Sequence, residues 1–528
     1  MSYEILFKSR KNITILLILI IIASLPLKLY TIDFTLPEIE DTWLFVLRGI
    51  AHSNGNYAES PIKPSGFPLF ASLFFTIFQP SDYVEHVNIL RYLNIVISSA
   101  IIFPIYLLAR KFFNQKFSLL APVFFAFQPQ LNYNTGQGLS EPIFLLILIS
   151  GFLLLLSKTS QSSRYFSFIF LGFLFWIKFN GLFFVLPFII CHAIIHKNIK
   201  NLIICLSLFV LTISPILLMR YEEYGNPVYY QISSGSGNLL EQNVNFISIA
   251  INNLFTAWAT ISLPYLLFLF PLGMIYSYLT KLKTSFKHNW IFFILSFLPM
   301  LIFYAGDPSS RPSFYIYPFL ILFSVLAVYS MINNQKFSFT SNQKTILIIL
   351  LLLFVIASSV LVTYGWNDYG YSSKDPVLIN EIRDYTGYLI NDIDGNLFWS
   401  KGVSYSWLPV AMIENSNGNF HDYKIPIKGG KEVYQISSLE HFYPTKLNVI
   451  YFESLSINDF FKKVHSNKIN YISIGDKNDF KFLDEIYLNE EKFPYLQKIY
   501  DSQNNGYQKY NVKLFKINQN ELLKILEL

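Results

Sequence analysis

"LRYLNIVISSAIIFPIYLLARKFFNQKFSLLAPVFFAFQPQLNYNTGQGLSEPIFLLIL", residues 90–148, sets the class of the fold. An apolar run (89–109) gives way to the basic patch RKFFNQK (110–116), then a second apolar run (117–132) and a third (140–157). A membrane-crossing helix needs about 20 residues, and lipid tolerates only segments whose backbone groups bond internally. Successive apolar runs joined by short polar loops therefore read as a helical bundle in a bilayer.

The same pattern extends outward. Further runs lie near 13–29, 165–179, 180–196, 201–219, 256–279, 289–305, 313–332 and 345–364, eleven in all. A twelfth, GFPLFASLFFTIF (66–78), is too short to span and reads as interfacial or re-entrant. Only 14% of residues are charged and 53% are hydrophobic, with mean hydropathy +0.39. Soluble domains carry about 25% charged residues. Cys191 and Cys205 both fall in apolar runs, so no disulfide framework is expected.

Basic residues set the orientation. Before residue 366, fifteen of 22 Lys and Arg fall on alternate sides of the runs that share the side of Lys8, Arg10 and Lys11, and twelve of 13 acids fall opposite or near it. Such asymmetry marks the cytoplasmic side. The expected arrangement is a multi-pass plasma-membrane protein with its N-terminus cytoplasmic and its C-terminal domain extracytoplasmic. The net charge of +6 follows from the cytoplasmic loops and does not point to nucleic acid.

After Trp366 the composition changes to 18 basic and 21 acidic residues over 366–528. Strand-length apolar runs (396–400, 447–452, 469–475, 510–517) alternate with helical patterns (377–391, 456–466). This predicts an α/β domain. The chain divides into a membrane domain, 1–365, whose first outer loop is 30–88, and an extracytoplasmic domain, 366–528.

That first loop concentrates acid. LPEIEDTWLFVLRGIAHSNGNY (36–57) places Glu38, Glu40 and Asp41 before a helical pattern. On a helical wheel with Asp41 at zero, Arg48 falls at about −20° and His52 at about +20°, opposite Trp43, Val46, Leu47 and Ile50. Either this is a solvated face led by acids at a helix start, or it is one wall of a site. SPIKPSGFPLF (60–70) then holds Lys63 between prolines. It is either a snorkelling lysine or an anion contact. Glu141, in LSEPIF (139–144), opens the run 140–157, as an N-terminal helix acid followed by proline or as a second site carboxylate. Lys178 interrupts FLFWIKFNG (173–181), as a span-end lysine or a partner for an acid, and Arg311 sits in the short loop AGDPSSRP (305–312) near Asp307.

These segments, in this order, resemble the GT-C membrane glycosyltransferases that use polyprenyl-phosphate sugars. These include the dolichyl-phosphate-mannose protein mannosyltransferases and the lipid A aminoarabinose transferases. The resemblance rests on the acid before NGNY, KPSGFPLF (63–70), the layout of 90–148, FLFWIKFNG and SRPSFYIYPFLIL (310–322). It implies an enzyme passing a sugar from a polyprenyl phosphate to a glycan, lipid or protein hydroxyl with inversion. Asp41, with Glu40 beside it, takes the place of the base, Glu141 that of a second carboxylate, and Lys63, Arg311 and Lys178 those of cations facing the donor phosphate. Arg48 and His52 are further first-loop candidates. The resemblance fixes no cofactor and leaves a divalent metal open. Here the order is Glu-Asp where the mannosyltransferases usually have Asp-Glu, and Pro64-Ser65 stands for a double proline.

Two alternatives differ in class. WNDYGY (366–371) is similar to the Trp-Trp-Asp-Tyr-Gly motif of oligosaccharyltransferases, which pass a whole lipid-linked glycan to asparagine and would require a divalent metal. As an aromatic interfacial belt the same residues carry no chemistry. A non-catalytic scaffold or a transporter is the other; a transporter predicts intramembrane charges and paired broken helices.

Overall fold

The computed structural model describes residues 10–38, 42–55, 57, 64–157, 160–225, 227, 264–279, 315, 317–333, 339–366, 375–399, 410, 447–450, 452, 454–476, 478 and 480–526. The chain divides into two compact units. One comprises 1–33, 59–67 and 89–369; the other comprises 34–58, 68–88 and 370–528.

The described helices of the N-terminal two-thirds are α1 (Arg10–Tyr30), α2 (Thr42–Ser53), α3 (Gly66–Phe78), α4 (Tyr83–Ala100), α5 (Ile102–Ala109), α6 (Gln115–Ser118), α7 (Leu120–Ala126), α8 (Pro129–Gly136), α9 (Glu141–Leu155), α10 (Gln161–Ile177), α11 (Val185–His196), α12 (Ile199–Tyr224), α13 (Pro264–Leu279), α14 (Tyr317–Asn333) and α15 (Ser341–Trp366). Among the described residues, five stretches are long and apolar enough to cross a bilayer: Lys11–Tyr30, Tyr83–Ala109, Phe179–His196, Ile199–Glu222 and Ser341–Tyr364. Helices α3, α9 and α14 are apolar but shorter. This is a polytopic helical membrane protein. The expected run 289–305 lies outside the described residues.

The run 117–132 is not one helix, contrary to expectation. It breaks into α6, α7 and α8, because Pro129 opens α8 and holds Gln128 extended (φ −86°, ψ 114°). Proline disfavours the helical region for the residue before it. Elsewhere the bundle closes tightly. A Cβ on Gly172 of α10 would meet Thr212 Cβ at 2.6 Å, and Trp176 Nε1 one turn on donates to the Thr212 carbonyl at 2.8 Å. The small residue lets α10 and α12 approach, as small residues do at helix contacts in lipid.

In the second unit the C-terminal region forms α16 (Pro376–Asp392), β1 (Gly395–Trp399), β2 (Leu447–Ile450), α17 (Ile457–Ser466), β3 (Tyr471–Gly475), α18 (Lys481–Leu488), β4 (Leu496–Asp501), β5 (Val512–Ile517) and α19 (Gln519–Leu526). The sheet order is β2-β1-β3-β5-β4. The first three strands are parallel, and β5 pairs antiparallel with both β3 and β4. Alternation sends Phe398, Ile472, Ile474, Phe515 and Ile517 to one face, where Phe460, Phe461 and Val464 of α17, Leu483 and Ile486 of α18 and Leu522 of α19 complete a core. On the other face Tyr385 of α16 bonds Ser473 (2.7 Å) and packs on the rings of Tyr500 and Trp399, 5.1 and 6.1 Å away between centroids. The expected α/β character is present; β4, α18 and α19 are additional to the strands and helices expected.

Candidate active site

Glu141 and Lys178 meet in the first unit. Glu141 is the first residue of α9, and its side chain is 2% exposed; Lys178 Nζ lies 2.7 Å from Glu141 Oε1. Neighbouring α9 and α10 bring them together from 37 residues apart. Lys178 follows the last turn of α10 and is extended (φ −150°, ψ 135°), so its side chain leaves the helix axis. A 3-10 turn, Phe179–Phe184, follows. Gly181 permits this turn, since a Cβ there would stand 2.6 Å from the Leu174 carbonyl carbon and the Phe175 nitrogen.

The pair has an aromatic wall. Lys178 Nζ is 5.5 Å from the centre of the Tyr315 ring, and Tyr315 packs on Phe144 at 4.4 Å. Next in sequence, Phe179 carries the guanidinium of Arg220 4.2 Å above its ring, with Arg220 Nε donating to the Pro227 carbonyl. Buried cations near aromatic faces gain from the ring quadrupole. The segment IKFN therefore sends one residue to the carboxylate and the next to a second cation.

The loop that delivers Glu141 is fixed from α4. Arg91 Nε donates to Gly136 O and its Nη1 to Asp33 O, both at 3.0 Å. Asn94 Nδ2 donates to Leu139 O at 2.7 Å. Gly138 between these anchors takes φ +70°, in the left-handed region. Behind the site Lys28, Ser98, Asn132, Asn134, Thr135 and Glu141 line a cavity of about 10 Å³ together with apolar side chains.

The other anticipated residues fall into two groups. Asp41, Glu40, Lys63 and Arg311 lie outside the described residues, as does the segment after Trp366 in WNDYGY. Arg48 and His52 of α2 are described in the second unit, 5% and 2% exposed. The reading of their face as a solvated one is overturned: ten of the twelve residues of α2 are buried. A Cβ on Gly49 would meet the Phe75 ring of α3 at 2.5 Å, so that contact fixes α2 against α3. The segment leading to Glu40 and Asp41 is held by Tyr83, which donates to Glu38 O (2.5 Å), and by Asn88, which donates to Phe34 O (2.8 Å). Among the described residues no group of three or more His, Cys, Asp or Glu is placed to hold a metal.

Residues 62–219 match the family model described as dolichyl-phosphate-mannose-protein mannosyltransferase. Among solved structures, the chain is similar to the oligosaccharyltransferase AglB from Archaeoglobus fulgidus in complex with an inhibitory peptide and a dolichol-phosphate. Identity is 12%, TM-score 0.58, covering 87% of this chain and 69% of that one. It is also similar to ArnT from Cupriavidus metallidurans bound to undecaprenyl phosphate, at 10% identity and TM-score 0.55, covering 94% and 97%. The chain shares the fold of these two structures. Comparison with curated protein sequences finds no match. The family match takes in Arg91, Glu141 and Lys178 and ends next to Arg220.

Sequence reasoning passed over Arg91, Asn94, Tyr315, Arg220 and Lys28. A polar pair three apart in an apolar run was available as a signal for the first two. Nothing local marks the others, because their partners lie far along the chain.

Proposed function

We propose that this protein is a membrane glycosyltransferase that moves a sugar from a polyprenyl-phosphate donor to a glycan, lipid or protein acceptor. The Glu141–Lys178 pair carries the reading, because a carboxylate and a cation in contact at the ends of two membrane helices are costly there unless used. The GT-C fold and the match over 62–219 support the class of reaction.

In the reaction the acceptor oxygen forms a bond to the anomeric carbon as the bond to the donor phosphate breaks, and the phosphate leaves with that electron pair. The acceptor proton needs a base, which the resemblance assigns to Asp41. A positioned base contributes about 10²–10⁴ in rate. Lys178 is well placed for the other half. Its ammonium is one-fifth exposed while Glu141 is buried, so it can contact phosphate oxygens from the Glu141 anchor. Lys63 and Arg311 are the remaining proposed phosphate cations. The uneven distribution of Lys and Arg supports eleven spans in a plasma membrane, with the site at the outer face and residues 366–528 forming an outer domain.

The likeness to AglB supports a second reading, transfer of a whole lipid-linked glycan to asparagine. Full-length protein in vesicles, given labelled polyprenyl-phosphate monosaccharides or lipid-linked oligosaccharides, separates the two. Transfer of a single sugar, insensitive to chelator, supports the first; chelator-sensitive glycan transfer to an asparagine peptide supports the second. No transfer from any polyprenyl-linked donor overturns both.

A further inference from the structure

The cavity that Glu141 lines contains a second lysine. Lys28, two residues before the end of α1, is 2% exposed. Its ammonium carries three donors, and one goes to Ser98 Oγ at 2.6 Å. The Ser98 proton is directed to Ile95 O (3.1 Å), so Ser98 presents a lone pair to Lys28. The lining also includes the polar side chains of Asn132, Asn134, Thr135 and Glu141. Asn134, 3% exposed, has its Nδ2 without a hydrogen-bond partner among the described residues. A volume of about 10 Å³ with several polar groups meets the requirements for one water.

We propose that Lys28 is a positioning residue for the donor site: through one water in this cavity it compensates Glu141 when Lys178 turns to the donor phosphate. The inference rests on the reading of Lys178 as a phosphate contact. Glu141 holds Lys178 at 2.7 Å, and a buried carboxylate deprived of its cation is strongly destabilised. A donor phosphate competing for Lys178 meets that resistance. Lys28, fixed by Ser98 in the same cavity as the carboxylate, lowers it, so that Lys178 is shared rather than captured. Lys28 and the donor are then thermodynamically coupled without touching, and such coupling is reciprocal.

The test measures binding of a polyprenyl phosphate to the full-length protein in nanodiscs, so it does not depend on turnover. Lys28→Met should weaken binding about tenfold, within the usual range for coupled sites. In a Glu141→Gln background, where the Glu141 carboxylate no longer retains Lys178, the same substitution should have no effect. Ser98→Ala keeps the cation but loosens it, and should weaken binding about twofold to threefold in the Glu141 protein alone; it serves if Lys28→Met does not assemble. Unchanged binding in both substituted proteins, or equal weakening with and without Glu141, overturns the proposal. An unsubstituted protein that binds no polyprenyl phosphate overturns the donor reading itself.

Discussion

Arg91 and Asn94, one turn apart on α4, hold the two ends of one short loop: Arg91 takes the Gly136 carbonyl at 3.0 Å and Asn94 takes the Leu139 carbonyl at 2.7 Å. Two residues beyond Leu139 the chain enters α9 at Glu141. The position of the carboxylate thus depends on side chains that do not touch it. Asn94→Ala leaves the Leu139 carbonyl buried and unsatisfied, a loss of about 1–3 kcal/mol. Its expected outcome is a lowered melting temperature together with reduced turnover. Arg91→Lys should resemble it rather than the parent, because a compact ammonium lacks the planar fork with which the guanidinium reaches Gly136 O and Asp33 O from two separate nitrogens. Wild-type turnover in Arg91→Lys would show that the loop holds itself.

Removing either member of the Glu141–Lys178 pair should differ from removing both. Lys178→Met leaves a carboxylate that is 2% exposed without this cation. Breaking a buried pair costs about 3–5 kcal/mol, whereas replacing both members by apolar groups is often neutral. Thermal melts of the purified protein should therefore rank Lys178→Met below the double Glu141→Leu/Lys178→Met protein. Transfer activity should fall by about 10²–10³ in each, the range for losing one preorganised charge contact. A stable, active Lys178→Met protein would remove both residues from the site.

Gly181 is a separate test of how Lys178 is aimed. A Cβ there would stand 2.6 Å from backbone atoms of Leu174 and Phe175, which cannot give way as a side-chain tip can. Gly181→Ala should shift the 3-10 turn away from α10 and carry Lys178 with it. Overpacking of this kind costs about 1–3 kcal/mol. The expected result is a higher KM for the polyprenyl-phosphate donor with correct membrane insertion, read from donor titrations and from expression in the membrane fraction.

Much of this architecture is legible in the sequence, for reasons tied to particular segments. Ser341–Trp366 and Ile199–Tyr224 are near-continuous apolar runs whose helical form is forced by lipid. Strands β1, β3 and β5 show because their apolar residues are mostly β-branched or aromatic and sit between polar turns. Strand β4, LQKIYD, does not show, because it is an edge strand with Gln497 and Lys498 exposed. Within the site, Glu141 and Lys178 stand out as charges in apolar surroundings. Their contact is invisible because 37 residues separate them. Lys28 reads as an ordinary lysine near a helix end, a position where snorkelling is usual. Only the packing of α1 near α5, α7 and α8 shows that it turns inward instead.

The C-terminal domain offers a pH test independent of the site. In α17, Ser456 caps the helix by accepting from the Asp459 amide (3.2 Å), and Asp459 Oδ2 accepts from Ser454 Oγ (2.7 Å), the Leu455 amide (3.2 Å) and Lys463 Nζ (2.8 Å). The Lys463 ammonium first, and then the Ser454 hydroxyl, hold the Asp459 carboxyl down at about 2, below its ordinary 3.8. A carboxyl lowered on folding adds stability that is complete above its unfolded value and is lost as pH falls through its folded one. The contribution of Asp459 should therefore decline between about pH 4 and about pH 2. Amide hydrogen exchange of α17, followed across that range in the full-length protein, should lose protection as the pH falls, after correction for the intrinsic exchange rate. Asp459→Asn should start less protected at neutral pH and show a flatter pH dependence. An identical acid response in the two proteins would mean that the carboxylate has no part in fastening the start of α17.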